Sequence, residues 1–307
     1  MNPTMQIAVV GLGAIGSSIA LHLLRANHKV VVWNRSAEPV RRLVGEGARE
    51  AATVAEAFRS EVVISVLFDD EAVRERLLDD ALLSEAPPGL LHICMSTISA
   101  ELATELAAAC RRHGIGYVAA PLFGRPEAAA KAQLQILVAG EPEATQRADA
   151  ILRLFGQTWP MGGEPRHANV AKLAGNFLIG CAIEAMAECS GLLRAHGAND
   201  AAFLDMMSKT LFASPIYRSY APSVADVAPL PALGLSLPLK DVGLALLAAE
   251  RCRVDLAYGR VLLERLTIGR AVGFGADDWS TALGKLARRP VAVTANQPAA
   301  AADRSRP

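Results

Sequence analysis

Val9-Val10-Gly11-Leu12-Gly13-Ala14-Ile15-Gly16 decides the fold of this chain. The stretch has the spacing GxGxxG. It follows the apolar run Ile7–Val10 and opens the helix-forming segment Ala14–Ala26. Each glycine has its own steric reason. Gly11 permits the tight turn out of the strand, Gly13 leaves room for backbone N–H groups to approach a diphosphate, and Gly16 lets helix and strand pack closely. The diphosphate then sits at the positive end of the helix. A glycine-rich turn without a ligand has the same letters; the strand before it and the helix after it favour a dinucleotide site.

Outward from this turn, short apolar runs alternate with helical stretches. Strands are expected at Ile7–Val10, Lys29–Trp33, Val62–Leu67, Leu91–Cys94, Gly116–Ala119 and Gln133–Val138. Helices are expected at Ala14–Ala26, Pro39–Gly45, Asp70–Leu78, Ala100–His113 and Pro142–Phe155. The strands are continuous apolar runs, as required when helices cover both faces of a parallel sheet. The fold class is therefore α/β, with a doubly wound, parallel Rossmann sheet in the N-terminal half. At the end of the second strand an NAD site usually carries an acid for the ribose 2′-hydroxyl. Here the sequence reads Trp33-Asn34-Arg35-Ser36. Arg35 can stack on adenine and pair with a 2′-phosphate, and Asn34 and Ser36 can donate to it, so NADP(H) is the expected cofactor. Arg35 as a solvated surface residue is the alternative.

After Trp159 the pattern changes. Met161-Gly162-Gly163-Glu164-Pro165 reads as a linker or turn. Arg166–His196 holds no proline and repeats apolar residues at helical spacing, giving one helix about 45 Å long, with Gly197 as its C-terminal cap. Further helices are expected at Asp200–Lys209, Asp241–Arg251 and Ala257–Ala271. Ala221–Pro238, with Pro222, Pro229, Pro231 and Pro238, reads as an irregular loop. The expected domains are residues 1–163, which bind NADP, and 164–289, a helical substrate and dimerisation domain. Residues 290–307 form an Ala/Pro/Arg-rich tail expected to be disordered.

The 307 residues include 31 basic and 31 acidic side chains, a balance that argues against a nucleic-acid partner. No run of 18 or more purely apolar residues occurs, and Met1–Gln6 lacks the design of a signal peptide, so no membrane partner is expected. The five cysteines, Cys94, Cys110, Cys181, Cys189 and Cys252, form no CxxC pair. They read as reduced core residues of a cytoplasmic protein, and no metal site is expected. Trp33, Trp159 and Trp279 read as packing residues.

Lys172 and Asn176 stand four residues apart among Ala, Leu, Gly and Phe, which places two polar groups on one apolar helical face. A buried ammonium costs free energy unless it is paired or its pKa falls. A lysine tuned downward could protonate a carbonyl oxygen while hydride reaches the carbon. A snorkelling lysine beside a surface asparagine fits the spacing equally well. Lys240-Asp241, after Pro238, reads as an ordinary helix N-terminus.

Taken in order, Gly11–Gly16, Ser96-Thr97-Ile98-Ser99, Ala120-Pro121-Leu122-Phe123-Gly124, Lys172 with Asn176, and Lys240-Asp241 resemble the β-hydroxyacid dehydrogenase family over roughly residues 5–285. That family lies within the 6-phosphogluconate dehydrogenase superfamily and includes 3-hydroxyisobutyrate dehydrogenases and glyoxylate and succinic-semialdehyde reductases. The resemblance implies a Rossmann domain, an all-helical domain, a long helix joining them, and a homodimer or homotetramer. It implies Lys172 as catalytic acid/base and Asn176 as catalytic and substrate-positioning. The implied cofactor-binding set is Gly11, Leu12, Gly13, Ala14, Ile15, Gly16, Asn34, Arg35, Ser36, Leu67, Phe68, Thr97 and Lys240. The substrate set is Ser96, Phe123, Gly124, Arg125 and Asn176. The family's substrate loop reads Asp-Ala-Pro-Val-Ser-Gly-Gly; here Phe123 replaces its serine and Arg125 its second glycine. Phe123 would narrow the pocket, and Arg125 would bind a carboxylate or pair with Glu127. The expected activity is hydride transfer between NADP(H) and a small carbonyl or hydroxy compound. Two alternatives stand beside it. One is an imine reductase of the same fold, which usually carries an acid or tyrosine where Lys172 stands. The other is a non-catalytic NADP(H)-binding protein.

Overall fold

The computed structural model describes residues 4–289. The expected tail at 290–307 lies outside the described residues. In chain order the elements are β1 (Gln6–Val10), α1 (Ala14–Arg25), β2 (Lys29–Trp33), α2 (Ala37–Gly45), β3 (Arg49–Glu50), α3 (Val54–Ala57), β4 (Val62–Ser65), α4 (Asp70–Leu77), α5 (Asp80–Ser84), β5 (Leu91–Cys94), α6 (Ala100–Arg112), β6 (Gly116–Ala119), β7 (Leu122–Phe123), α7 (Pro126–Ala130), β8 (Leu134–Gly140), α8 (Pro142–Leu152) and β9 (Gly156–Gly162). Helices follow: α9 (Pro165–Ala195), α10 (Asp200–Lys209), α11 (Pro215–Val224), α12 (Ser236–Arg251), α13 (Ala257–Gly269) and α14 (Trp279–Ala287).

The strands form one sheet in the order β3-β2-β1-β4-β5-β6-β8-β7, with β9 also paired to β8. From β3 to β6 every pairing is parallel. Ile7 and Val9 of β1 belong to one apolar cluster and Ala8 and Val10 to another, so the two faces of the sheet are buried separately. That double burial is why the strand sequences run apolar without alternation. The chain switches direction of winding at β1, between β2 and β4. In such sheets the crevice beyond the carboxyl ends of the strands is where ligands bind.

The parallel Rossmann sheet is extended beyond β6 by β8, which runs antiparallel to β6 and β7. Expectations about individual segments are corrected. The expected linker at Met161 is partly strand, because β9 pairs parallel with β8 through Ala139↔Gly162. An edge strand buried on one side at most carries too weak an apolar signal to be read, and Trp159 on it is 48% exposed rather than packed, its indole N–H donating to Gln135. The expected loop from Ala221 begins inside α11. Ser214 caps that helix and Pro215 opens it, where a missing N–H is harmless. Pro222 sits in its last turn, and burial of Tyr220, Ala221 and Val224 holds the helix past it.

The long helix arrives as expected, over 31 residues. It ends in a Schellman pattern: Gly197 adopts φ +72° and Ala198 N–H donates to Leu193 O. By length and mean hydropathy α9 is the one described helix that would suffice to cross a membrane. Its Lys172, Asn176 and Glu184, however, are hydrogen-bonded to other protein groups. Cys94 and Cys110 are core residues, whereas Cys189 and Cys252 are exposed, contrary to expectation; all five thiols are free.

By packing, the chain divides elsewhere than at the expected boundary of 163/164. One compact unit runs from β1 through Cys181 and takes back Ser236–Glu264; the other comprises Ala182–Leu235 and, among the described residues, 265–289. Within the second unit, Asp200 accepts from Ser190 and Arg194, and Ser223 shares its hydroxyl with Ser280 and Thr281. Gly191 and Gly284 permit backbone contact there, since a Cβ would meet Ala287 O at 2.5 Å and Val224 O at 2.5 Å respectively.

Candidate active site

The first unit carries every expected site residue, some on loops at the strand ends and Lys172, Asn176 and Lys240 on α9 and α12. Gly11 leaves β1 at φ +97°, where an added Cβ would lie 2.3 Å from Val66 O. A Cβ on Gly16 would lie 2.0 Å from Gly11 O. Gly13 is different. Nothing stands within 4 Å of its missing Cβ, so the space it leaves faces outward from the protein. Gly13 is also the N-cap of α1, with no side-chain cap and no acidic residue in the first turn. The positive helix end is therefore uncompensated by the protein, with Gly13 and Ala14 exposed and Ile15 half-buried there. These features fit a dinucleotide diphosphate.

Leu12 and Asn34 form the brace beneath that loop. Leu12 N–H donates to Asn34 Oδ1 at 3.0 Å, and Asn34 Nδ2 donates to Ser36 Oγ at 2.8 Å and to Ser36 O at 3.1 Å. Asn34 thus ties the end of β2 to the glycine turn, with its amide already engaged. Arg35 beside it is exposed. The nearest acid, Glu38, lies in the first turn of α2.

After β4 and β5 two further loops reach the same end of the sheet. Ser96 is 1% exposed and its Oγ accepts from Leu67 N–H at 2.8 Å, so its hydroxyl joins these loops. Phe68 is exposed, and its ring centroid is 5.7 Å from Lys240 Nζ. Lys240 Nζ also donates to Thr97 O at 2.8 Å.

The lysine pair on α9 lies in a buried chain of polar groups. Lys172 Nζ donates to Asn176 Oδ1 at 2.8 Å; Asn176 Nδ2 donates to Asp241 Oδ2 at 2.6 Å; Lys240 Nζ lies 2.8 Å from Asp241 Oδ1. Lys172, Asn176 and Asp241 are each less than a tenth exposed. An ammonium can only donate and a carboxylate only accept, so the amide orientation of Asn176 is dictated by its neighbours. Burial pulls the Lys172 ammonium down to about 8, the Asp241 carboxylate opposes this, and the Lys240 charge adds to it. The snorkelling alternative is excluded by this geometry. Asp241, the sixth residue of α12, is not a helix cap. The sequence reading missed its role because a Lys-Asp pair after a proline is also common at helix starts.

Phe123 closes one side of Lys172, its ring centroid 4.1 Å from Nζ. It sits on β7, opposite Gln135 of β8. Gly124 follows at φ +143°, where a Cβ would strike Leu134 Cδ2 at 2.6 Å. Arg125 Nε stands 3.9 Å from Glu127 Oε2, and its side chain is largely buried. His167 is exposed, away from this cluster. Among the described residues no cluster of His, Cys, Asp or Glu could hold a metal.

Residues 6–173 match the family described as the NAD binding domain of 6-phosphogluconate dehydrogenase, and residues 167–286 that of the NAD-binding domain of NADP-dependent 3-hydroxyisobutyrate dehydrogenase. The chain is 40% identical to the uncharacterized oxidoreductase YfjR of Bacillus subtilis, over 90% of this chain and 98% of that one. It is 30% identical to the NAD-dependent L-serine dehydrogenase of Pseudomonas aeruginosa, over 90% and 95%. Among solved structures, 3-hydroxyisobutyrate dehydrogenase of Mycobacterium tuberculosis with L-serine superposes with a TM-score of 0.84, at 24% identity, over 92% of this chain and 99% of that one. That likeness supports the Rossmann and helical architecture. The glycine turn, the chain of polar groups around Lys172 and these matches agree: the chain belongs to the β-hydroxyacid dehydrogenase family of nicotinamide-dependent oxidoreductases.

Proposed function

We propose that this protein reduces small carbonyl compounds with NADPH and catalyses the reverse oxidation, with Lys172 as acid and base. The observation that carries this reading is the buried Lys172 ammonium, hydrogen-bonded to Asn176 and held at about 8. A group with that pKa exchanges its proton readily near neutral pH, which suits general acid–base work in both directions. When bound, the reduced nicotinamide supplies hydride to the carbonyl carbon. Lys172 Nζ donates a proton to the oxygen as negative charge develops there; an N–H bond breaks, an O–H bond forms, and a neutral amine remains. Burial stabilises that neutral amine. Asn176 fixes one N–H of Nζ and leaves the others for substrate, while Asp241 holds Asn176 in place.

Gly11, Gly13 and Gly16 would seat the diphosphate on α1. Arg35, with no acid at the end of β2, supports NADP(H) over NAD(H). Lys240, Thr97, Leu67 and Phe68 supply the cofactor side of the lysine cluster. An imine reductase gains no support from Lys172, since those enzymes usually carry an acid or tyrosine there. The test is consumption of NADPH and NADH with a panel of small aldehydes and oxo acids, comparing wild type with Lys172→Ala. Equal turnover by the variant rejects the assigned role. Nucleotide binding without turnover of any aldehyde, oxo acid or cyclic imine favours the non-catalytic alternative.

A further inference from the structure

Gly175 sits within α9, where glycine is a poorer helix former than alanine. The structure gives the reason. A Cβ at Gly175 would stand 2.2 Å from Phe123 Cζ and 2.7 Å from Cε1. The ring tip occupies the notch that the absent side chain leaves. From there the ring lies against the Lys172 ammonium, 4.1 Å from centroid to Nζ. Pairing of β7 with β8 and the positive φ of Gly124 hold the backbone that delivers it.

We propose that Phe123, seated on Gly175, is the specificity-determining residue of this site and selects substrates whose group beside the reacting carbon is uncharged and apolar. The inference rests on Lys172 acting as acid and base. A carbonyl oxygen hydrogen-bonded to Nζ lies about 2.9 Å from it. The substituent on the Phe123 side of that carbonyl then lies against the ring. The face of an aromatic ring carries negative charge density and offers no hydrogen-bond donor. A carboxylate placed there gives up its water against a surface that offers it no donor, whereas a hydrocarbon group gains by leaving water.

Unreactive amides that mimic the carbonyl report this selectivity without turnover. Binding of isobutyramide and of oxamate to the NADP-loaded protein is measured by calorimetry in wild type, Phe123→Ser, Phe123→Leu and Gly175→Ala. Isobutyramide, with its apolar group, is expected to bind wild type at least tenfold tighter than oxamate, which carries a carboxylate. Phe123→Ser should reduce that ratio at least tenfold. Gly175→Ala should do the same by displacing the ring, and Phe123→Leu should retain the preference. Thermal melts confirm that each variant is folded. Tighter binding of oxamate by wild type, binding of neither amide, or a ratio changed less than twofold in both Phe123→Ser and Gly175→Ala overturns the proposal. Aldehyde turnover is followed separately. Its absence with either nucleotide counts against the acid–base reading, while the amide ratio still judges Phe123.

Discussion

Asn176 donates its side-chain N–H to Asp241 at 2.6 Å, although 65 residues of chain separate them. This bond joins α9 to α12 and fixes which end of the amide faces Lys172. Removing it should therefore alter chemistry more than folding. In Asn176→Ala, Lys172 loses the acceptor that favours its charged form, so its pKa should fall below about 8. In Asp241→Asn, it loses the carboxylate that raises its pKa, with the same direction. Both variants should lower kcat for carbonyl reduction and move the alkaline limb of the pH–rate profile to lower pH. An unmoved limb in both would detach Asn176 and Asp241 from proton transfer.

The wild-type pH profile has a definite sign. Reduction needs Lys172 protonated, so its rate should fall as pH rises through about 8. Oxidation needs the neutral amine and should rise over the same interval. Lys172→Met should lose both limbs together with roughly 10²-fold or more of kcat, the usual scale of a general acid. Steady-state rates between pH 6 and 10, in both directions, check this.

The three glycines of the first turn should separate into two classes. Gly11→Ala forces a Cβ onto Val66 O from a φ of +97°, and should lower the melting temperature with or without nucleotide. At Gly13 an added Cβ meets nothing in the protein, so Gly13→Ala should leave the nucleotide-free melting temperature nearly unchanged. It should nonetheless weaken NADPH binding at least tenfold. Fluorescence titration alongside thermal melts distinguishes the two; a Gly13 variant that binds normally would remove the diphosphate from this helix end.

Arg35 offers a test of cofactor choice. Arg35→Ser removes the guanidinium available to a 2′-phosphate, and charge-assisted bonds of this kind are worth about 1.5–3 kcal/mol. The ratio of kcat/KM for NADPH to that for NADH should drop roughly ten- to a hundredfold. An unchanged ratio would return Arg35 to the solvated surface.

His92 predicts an acid-sensitive core. It is fully buried beside Phe58 and Tyr117, with Ser65 Oγ 2.9 Å from Nε2, and burial lowers its pKa from 6.5 to about 4. The folded state therefore binds fewer protons than the unfolded chain between these values. Its contribution is fully present above pH 6.5 and is lost as pH falls toward 4, on the order of 3 kcal/mol. Urea unfolding at pH 7 and pH 4.5 should show the loss, and His92→Gln should flatten that slope.

The Rossmann half was legible because each of its signals is local. Continuous apolar strands and the glycine turn each act within a few residues. The long helix and its Gly197 cap were legible for the same reason. Strand β9 and helix α11 were not, because pairing with β8 and burial of Tyr220 and Val224 override weak or contrary local preferences. At the site, the spacing of Lys172 and Asn176 placed them on one face but left a surface lysine equally possible.

The linear sequence determined which backbone can turn at Gly11, which helix end is positive, and which polar groups share a face of α9, since these depend on neighbours three or four residues away. Only the tertiary structure decided that Lys172 is buried, that Asp241 reaches Asn176, and that Phe123 fills the notch at Gly175. Desolvation, charge pairing and van der Waals exclusion act between atoms that the chain brings together from far apart, and no local pattern encodes those distances.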